Sequence, residues 1–118
     1  MFLELAHTKL DIFKVSKELT LSCYRETKLL PQEERFNLTQ QIRRAAISVH
    51  LNIAEGSSRK SMGERKRFFE IARGSIVEID TAFDIAISLG YLNSKALTDL
   101  GLLIVRCFQI LSKLIKNL

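Results

Sequence analysis

The chain has 118 residues, 47% of them hydrophobic and 26% charged, with one proline and five glycines. That composition excludes a disordered polymer, and the length suits one domain, residues 1–118, which buries roughly two-thirds of the surface its unfolded form exposes. Lys and Arg number 18 against 13 acids, a net charge of +5, which points to an anionic partner.

The N-terminal MFLELAHTKLD has acids and a histidine among its first apolar residues and no charged leader, so it does not read as a secretory signal. A first helix is predicted from about Thr8 to Leu29, with Leu5, Ile12, Val15, Leu19 and Ser22 on one stripe, and Pro31 ends it. A second begins near Glu33, carries Leu38, Ile42, Ala45, Val49 and Ile53, and closes at Gly56, Ser57 and Ser58. Ser61 followed by Glu64 is a capping box that opens the third. There Phe68, Ala72, Ser75, Ile79, Ala82, Ala86 and Leu89 recur at an unbroken 4-3-4-3-4-3 spacing until Gly90 stops the run. Asn93 or Ser94 caps the fourth, where Leu97, Leu100, Ile104, Cys107, Leu111, Leu114 and Leu118 recur at 3-4-3-4-3-4. Four helices of more than twenty residues, joined by short turns, predict an all-α, antiparallel up-and-down four-helix bundle.

The longest nearly apolar run, Leu100 to Leu111, is interrupted by Arg106 and Gln109 and falls short of the ~20 residues of a membrane span, so no membrane association is expected. Cys23 and Cys107 stand alone at apolar helical positions and read as reduced core thiols of a cytoplasmic protein. The apolar faces are wider than one bundle needs. Nearly opposite the main stripe of helix two lie Ile47, Leu51 and Ala54, and helix three spreads its apolar side, Phe69 and Ile76 included, over about half the cylinder. Such surplus marks an interface, and Ile47, Leu51, Ala54, Phe69 and Ile76 are the expected contacts between copies.

Positive charge is concentrated. From Arg35 to Arg73 nine cations face three acids, Glu55, Glu64 and Glu70, leaving the rest of the chain slightly acidic. The turn SSRKSMGERKR places Arg65, Lys66 and Arg67 in the first turn of helix three, where the peptide dipoles disfavour cations. A local rule broken at a definite place suggests function, and amides of a helix start beside clustered Arg suit phosphate. Arg43, Arg44, Arg59, Lys60, Arg65, Lys66, Arg67 and Arg73 are therefore the candidate nucleic-acid contacts. The competing account has Arg59 and Lys60 complementing the end of helix two and the other cations pairing with Glu55, Glu64 and Glu70, Lys66 with Glu70 among them. Gln41, Ser48, Asn52 and Glu55 share a polar strip. Asn52 and Glu55, with Ser75 and Glu78 facing them, are read as a register-fixing network.

No catalytic constellation emerges. His7 and His50 are single, no ligand spacing for a metal is present, and Glu55 with Glu78 lacks the Glu-x-x-His pattern of di-iron bundles. Neither an enzymatic activity nor a cofactor is expected.

QIRRAAISVHLNIAEG (Gln41 to Gly56), then Arg59, Lys60 and Ser61, then RFFEIARGSIVEIDT (Arg67 to Thr81) and Leu89-Gly90-Tyr91 resemble the four-helix proteins encoded in intervening sequences of the large-subunit ribosomal RNA gene. In the first helix, LDIFKVSKEL (Leu10 to Leu19) has Phe13 and Ser16 where Trp and Ala are usual. The resemblance covers nearly the whole chain. It implies an up-and-down bundle assembled as a homopentamer, with no known enzymatic activity. A related branch, the accessory variability proteins of diversity-generating retroelements, comprises basic pentamers that bind nucleic acid and a reverse transcriptase. The expectation is a non-enzymatic oligomer that binds RNA or DNA backbone, the alternative being a scaffold that docks a protein partner such as a reverse transcriptase.

Overall fold

The computed structural model describes Met1–Leu118 and contains four α-helices and no strand: α1 Asp11–Thr27, α2 Leu38–Ser58, α3 Met62–Ser88 and α4 Thr98–Lys116. Their lengths are 17, 21, 27 and 19 residues, so only α2 and α3 exceed twenty. Short 3-10 turns at Ala6–Lys9, Gln32–Glu34 and Ser94–Leu97 take up the difference. Pro31 sets the first residues after α1 into a tight turn, in which the Glu34 N–H donates to the Pro31 carbonyl at 2.9 Å. As a result α2 starts at Leu38 rather than near Glu33, with its first N–H directed at Glu34 Oε1, 3.4 Å away. Leu5, placed by period on the first stripe, precedes α1 and is exposed.

The remaining boundaries follow side-chain chemistry. Ser61 Oγ accepts from the Glu64 N–H at 3.1 Å and caps α3. Asn93 Oδ1 accepts from the Lys95 N–H at 2.8 Å and opens the turn that leads into α4. At the far end of α3, Gly90 has φ +80°. The Gly90 N–H bonds the Ile87 carbonyl and the Tyr91 N–H bonds the Ala86 carbonyl, both at 3.0 Å, a pair of bonds that requires a left-handed residue between them and hence glycine.

Each helix packs against the next in the chain, and α4 closes the ring on α1. Polar contacts show the register. Ser16 Oγ lies 2.7 Å from His50 Nδ1, Ser48 Oγ 2.9 Å from Ser75 Oγ, and Arg73 donates to Ser112 Oγ at 3.3 Å. Further along the α3–α4 seam, Asp80 shares a groove with Ile104 and Ile87 shares one with Leu97. At 1.5 Å per residue the 27 residues of α3 span about 40 Å, nearly the 44 Å long axis of the molecule.

The core fills the inside of the ring with Leu19, Ile42, Val49, Ile53, Ile79 and Leu111, all without exposed surface. Phe69 and Ile76, expected at a contact between copies, are 3% and 1% exposed and belong to this core. The buried seam of α3 is Phe69, Ala72, Ile76, Ile79, Phe83 and Ala86, with Ala82 beside it, one residue on from the expected Phe68 and Ser75, while Ile71, Val77 and Ile85 stay exposed. Cys23 and Cys107 are also fully buried, and burial pushes both thiols up to about 12, so they stay protonated and inert at neutral pH.

Candidate nucleic-acid interface

The α2–α3 turn carries the densest positive charge, and its cations fall into two groups. Arg59 is held by its own chain: Nη2 lies 2.9 Å from Glu55 Oε2, Nε is 4.0 Å from Glu64 Oε2, and the guanidinium stacks over Phe68 at 5.0 Å. These are the two ion pairs of the chain. Lys60, Lys66 and Arg67 are exposed and have none, and the Lys66–Glu70 pair allowed by helical spacing does not form. Arg65 is half-buried, and its Nε is shielded from solvent with no acceptor.

Arg43 and Arg73, also predicted to contact phosphate, are occupied in packing. Arg43 Nε donates to Thr27 Oγ1 at 2.9 Å and Nη2 to the Tyr24 carbonyl at 3.3 Å, with the guanidinium 4.8 Å above the Tyr24 ring. It ties α2 to α1. Arg73 ties α3 to α4 through Ser112. Arg44 is exposed but stands on the other half of the molecule, in a groove with Gln41, Ser48, Ser75 and Glu78.

Folding regroups the charge. The contacts Ser16–His50, Ser48–Ser75 and Arg73–Ser112 mark one level across the ring. On the turn side of it, or at it, lie Met1 to Lys17, Glu55 to Arg73 and Lys113 to Leu118. These segments hold eleven cations (Lys9, Lys14, Lys17, Arg59, Lys60, Arg65, Lys66, Arg67, Arg73, Lys113 and Lys116) and five acids (Glu4, Asp11, Glu55, Glu64 and Glu70), a balance of +6. The other half holds the remaining seven cations and eight acids. Arg35, Arg43 and Arg44 thus leave the basic segment read from sequence. Lys9, Lys14 and Lys17 join it around an open cleft of about 510 Å³ that they share with Glu4 and Thr8, and Lys113 and Lys116 join it from α4. Sequence order hides these five lysines, since Lys9, Lys14 and Lys17 lie forty or more residues before Arg59, and Lys113 and Lys116 forty or more after Arg73.

The polar network forms in part. Asn52 Nδ2 donates to the Ser48 carbonyl at 2.8 Å and to Ser48 Oγ at 3.1 Å, and Ser48 pairs with Ser75. Glu55 turns instead to Arg59, and Glu78 lines the Arg44 groove without a hydrogen bond. A second polar seam, between α1 and α2, was not anticipated. Thr20 Oγ1 donates to the Ala46 carbonyl at 3.1 Å, and His50 stacks on Phe13 at 4.4 Å while its Nδ1 meets Ser16 Oγ. Phe13 and Ser16 are the two departures in the first helix noted above, and both touch this one histidine. Ser16 has no exposed surface, so the pair is a packing contact.

Burial first, then the positive charges of Lys17 and His7, hold the His50 pKa below its ordinary 6.5. The unfolded chain therefore binds a proton at His50 that the folded chain resists, and stability present above about pH 6.5 is lost as pH falls toward the depressed folded value. The thermal midpoint is expected to drop between pH 7.5 and 5.5, and to drop less in His50→Gln. Equal pH dependence in the two proteins would remove His50 from this account.

The fold and its charge define a class: an all-helical four-helix protein with one strongly basic end. Residues 8–113 match the family model of the 23S rRNA-intervening sequence proteins, and the chain belongs to that family. It is also similar in fold to a crystal structure of a protein of unknown function from the S23 ribosomal protein family of Bacteroides thetaiotaomicron, with a TM-score of 0.81 and 21% identity over 89% of this chain and 98% of that one. No curated protein matches the chain. No helix is long and apolar enough to cross a membrane.

Proposed function

We propose that this protein is a non-enzymatic, antiparallel up-and-down bundle that self-associates as a homopentamer in the cytoplasm and binds the backbone of RNA or DNA through its basic end. The observation that carries this reading is the convergence of cations from three segments of the chain on one end at +6, with Lys60, Lys66 and Arg67 unpaired. Arg65, half-buried, stands in the same turn. Phosphate contacts made by Lys and Arg release counterions and carry no sequence information, so binding is steeply salt-dependent and nearly sequence-blind. The two tyrosines lie elsewhere, Tyr24 under Arg43 and Tyr91 donating to Glu34 at 3.1 Å, so stacked single-stranded bases fit less well than structured RNA or duplex.

The test is titration of labelled structured RNA and duplex DNA at several salt concentrations, with the mass in solution measured on the same sample. Tight binding by an oligomer that weakens steeply with salt is the expected result. An oligomer blind to both nucleic acids at about 50 mM salt would overturn the reading in favour of a scaffold for a protein partner such as a reverse transcriptase.

A further inference from the structure

Two apolar surfaces of the chain have no cover within it. One runs along the outer side of α2, where Ile47, Leu51 and Ala54 share a strip. Ile47 and Leu51 are 39% and 59% exposed, and the strip continues into the exposed Phe2 and Leu3, which share a cleft with Ala54. The other is an open groove of about 470 Å³ between α3 and α4, lined by Ile76, Val77, Ile104, Val105 and Phe108 with Asp80 at its rim. Val77, Val105 and Phe108 are 50%, 53% and 40% exposed. In the ring of helices α2 stands across from α4, so the surfaces face opposite ways and one chain cannot bury both on itself.

We infer that the two surfaces are the halves of one head-to-tail contact between copies of this chain, the α2 strip of one copy seated in the α3–α4 groove of the next. The inference rests on the proposal that the chain self-associates and names the surfaces that do so. A two-fold contact of strip on strip would leave the groove open, and groove on groove would leave the strip open; among assemblies built from one kind of contact, the mixed one buries both. Charge favours the same pairing. Arg44 stands on α2 one turn before Ile47, Asp80 lines the groove and Asp84 the cleft that adjoins it, and none of the three has an ion pair within the chain. Strip on strip would set Arg44 against its own copy, and groove on groove would do the same to Asp80, whereas the mixed contact brings Arg44 toward carboxylates.

Two substitutions at exposed positions test this, with thermal melts to confirm that each variant folds. Leu51→Glu breaks the strip and Phe108→Glu breaks the groove. Each alone is expected to lower the mass in solution from the wild-type oligomer to the single chain of 13.5 kDa. Mixed, they should form a one-to-one dimer and nothing larger, because one intact strip and one intact groove remain. An oligomer that survives either substitution, or a mixture of monomers that does not pair, would overturn the inference while leaving self-association standing. A monomeric wild type would overturn self-association and the inference together.

Discussion

Replacing Lys60, Lys66 and Arg67 together by Ser is expected to weaken binding of structured RNA about a hundredfold at about 0.1 M salt, with the oligomer and its thermal midpoint unchanged. All three side chains are exposed and unpaired, so their loss removes no contact inside the chain. Each phosphate contact contributes about 0.7–0.9 to the slope of log K against log salt, so three contacts account for about 2–2.7. Because the electrostatic part vanishes near about 1 M, a tenfold dilution of salt is worth about that many powers of ten, which sets the predicted loss. Arg43→Met is the control. It removes the bonds to Thr27 and Tyr24, so it should lower the thermal midpoint and leave the salt slope alone. A triple variant with the wild-type slope would show that the turn does not touch phosphate.

Gly56→Val is expected to be the most damaging single substitution to the fold, costing about 2–3 kcal/mol from overpacking. A Cβ built at Gly56 would lie 2.8 Å from Phe69 Cε1, 2.9 Å from Phe69 Cδ1 and 3.1 Å from Phe68 Cβ. Phe69 is a core ring with nowhere to retreat, so α2 and α3 must separate just where the basic turn leaves α2. Alanine gains about 1 kcal/mol of helix propensity over glycine and should cost less than valine, though the same clash remains. Chemical denaturation of the three proteins measures the order Gly, Ala, Val. A Gly56→Ala variant more stable than wild type would mean that the ring can yield.

The sequence made the four helices legible because their stops are chemical: Ser61, Gly90 and Asn93 each act through a bond of their own. Stripe periods located the core of α1, α2 and α4 for the same reason that they build it. Two things escaped that reading. Phe69 and Ile76 lie on the buried seam of α3, Phe69, Ala72, Ile76, Ile79, Phe83 and Ala86, which shares Ala72, Ile79 and Ala86 with the stripe through Phe68 and Ser75, so spacing alone does not choose between the two. The basic site was read as a run of neighbours in sequence, yet half of its members come from elsewhere. Lys9, Lys14 and Lys17 arrive with α1, and Lys113 and Lys116 with the end of α4, whereas Arg35, Arg43 and Arg44 fall at the other end and Arg73, at the basic end, has its guanidinium claimed by Ser112. Sequence states which charges exist, but their grouping depends on which helix ends meet.

Lysine footprinting with and without bound RNA tests the central claim most directly, because the nine lysines divide cleanly between the two ends. Lys9, Lys14, Lys17, Lys60, Lys66, Lys113 and Lys116 lie at the basic end, and Lys28 and Lys95 at the other. If the basic end holds the nucleic acid, RNA protects lysines of the first group from amine-directed modification and leaves Lys28 and Lys95 as reactive as in the protein alone. Protection centred on Lys28 and Lys95, or spread evenly over all nine, would contradict a phosphate-binding end.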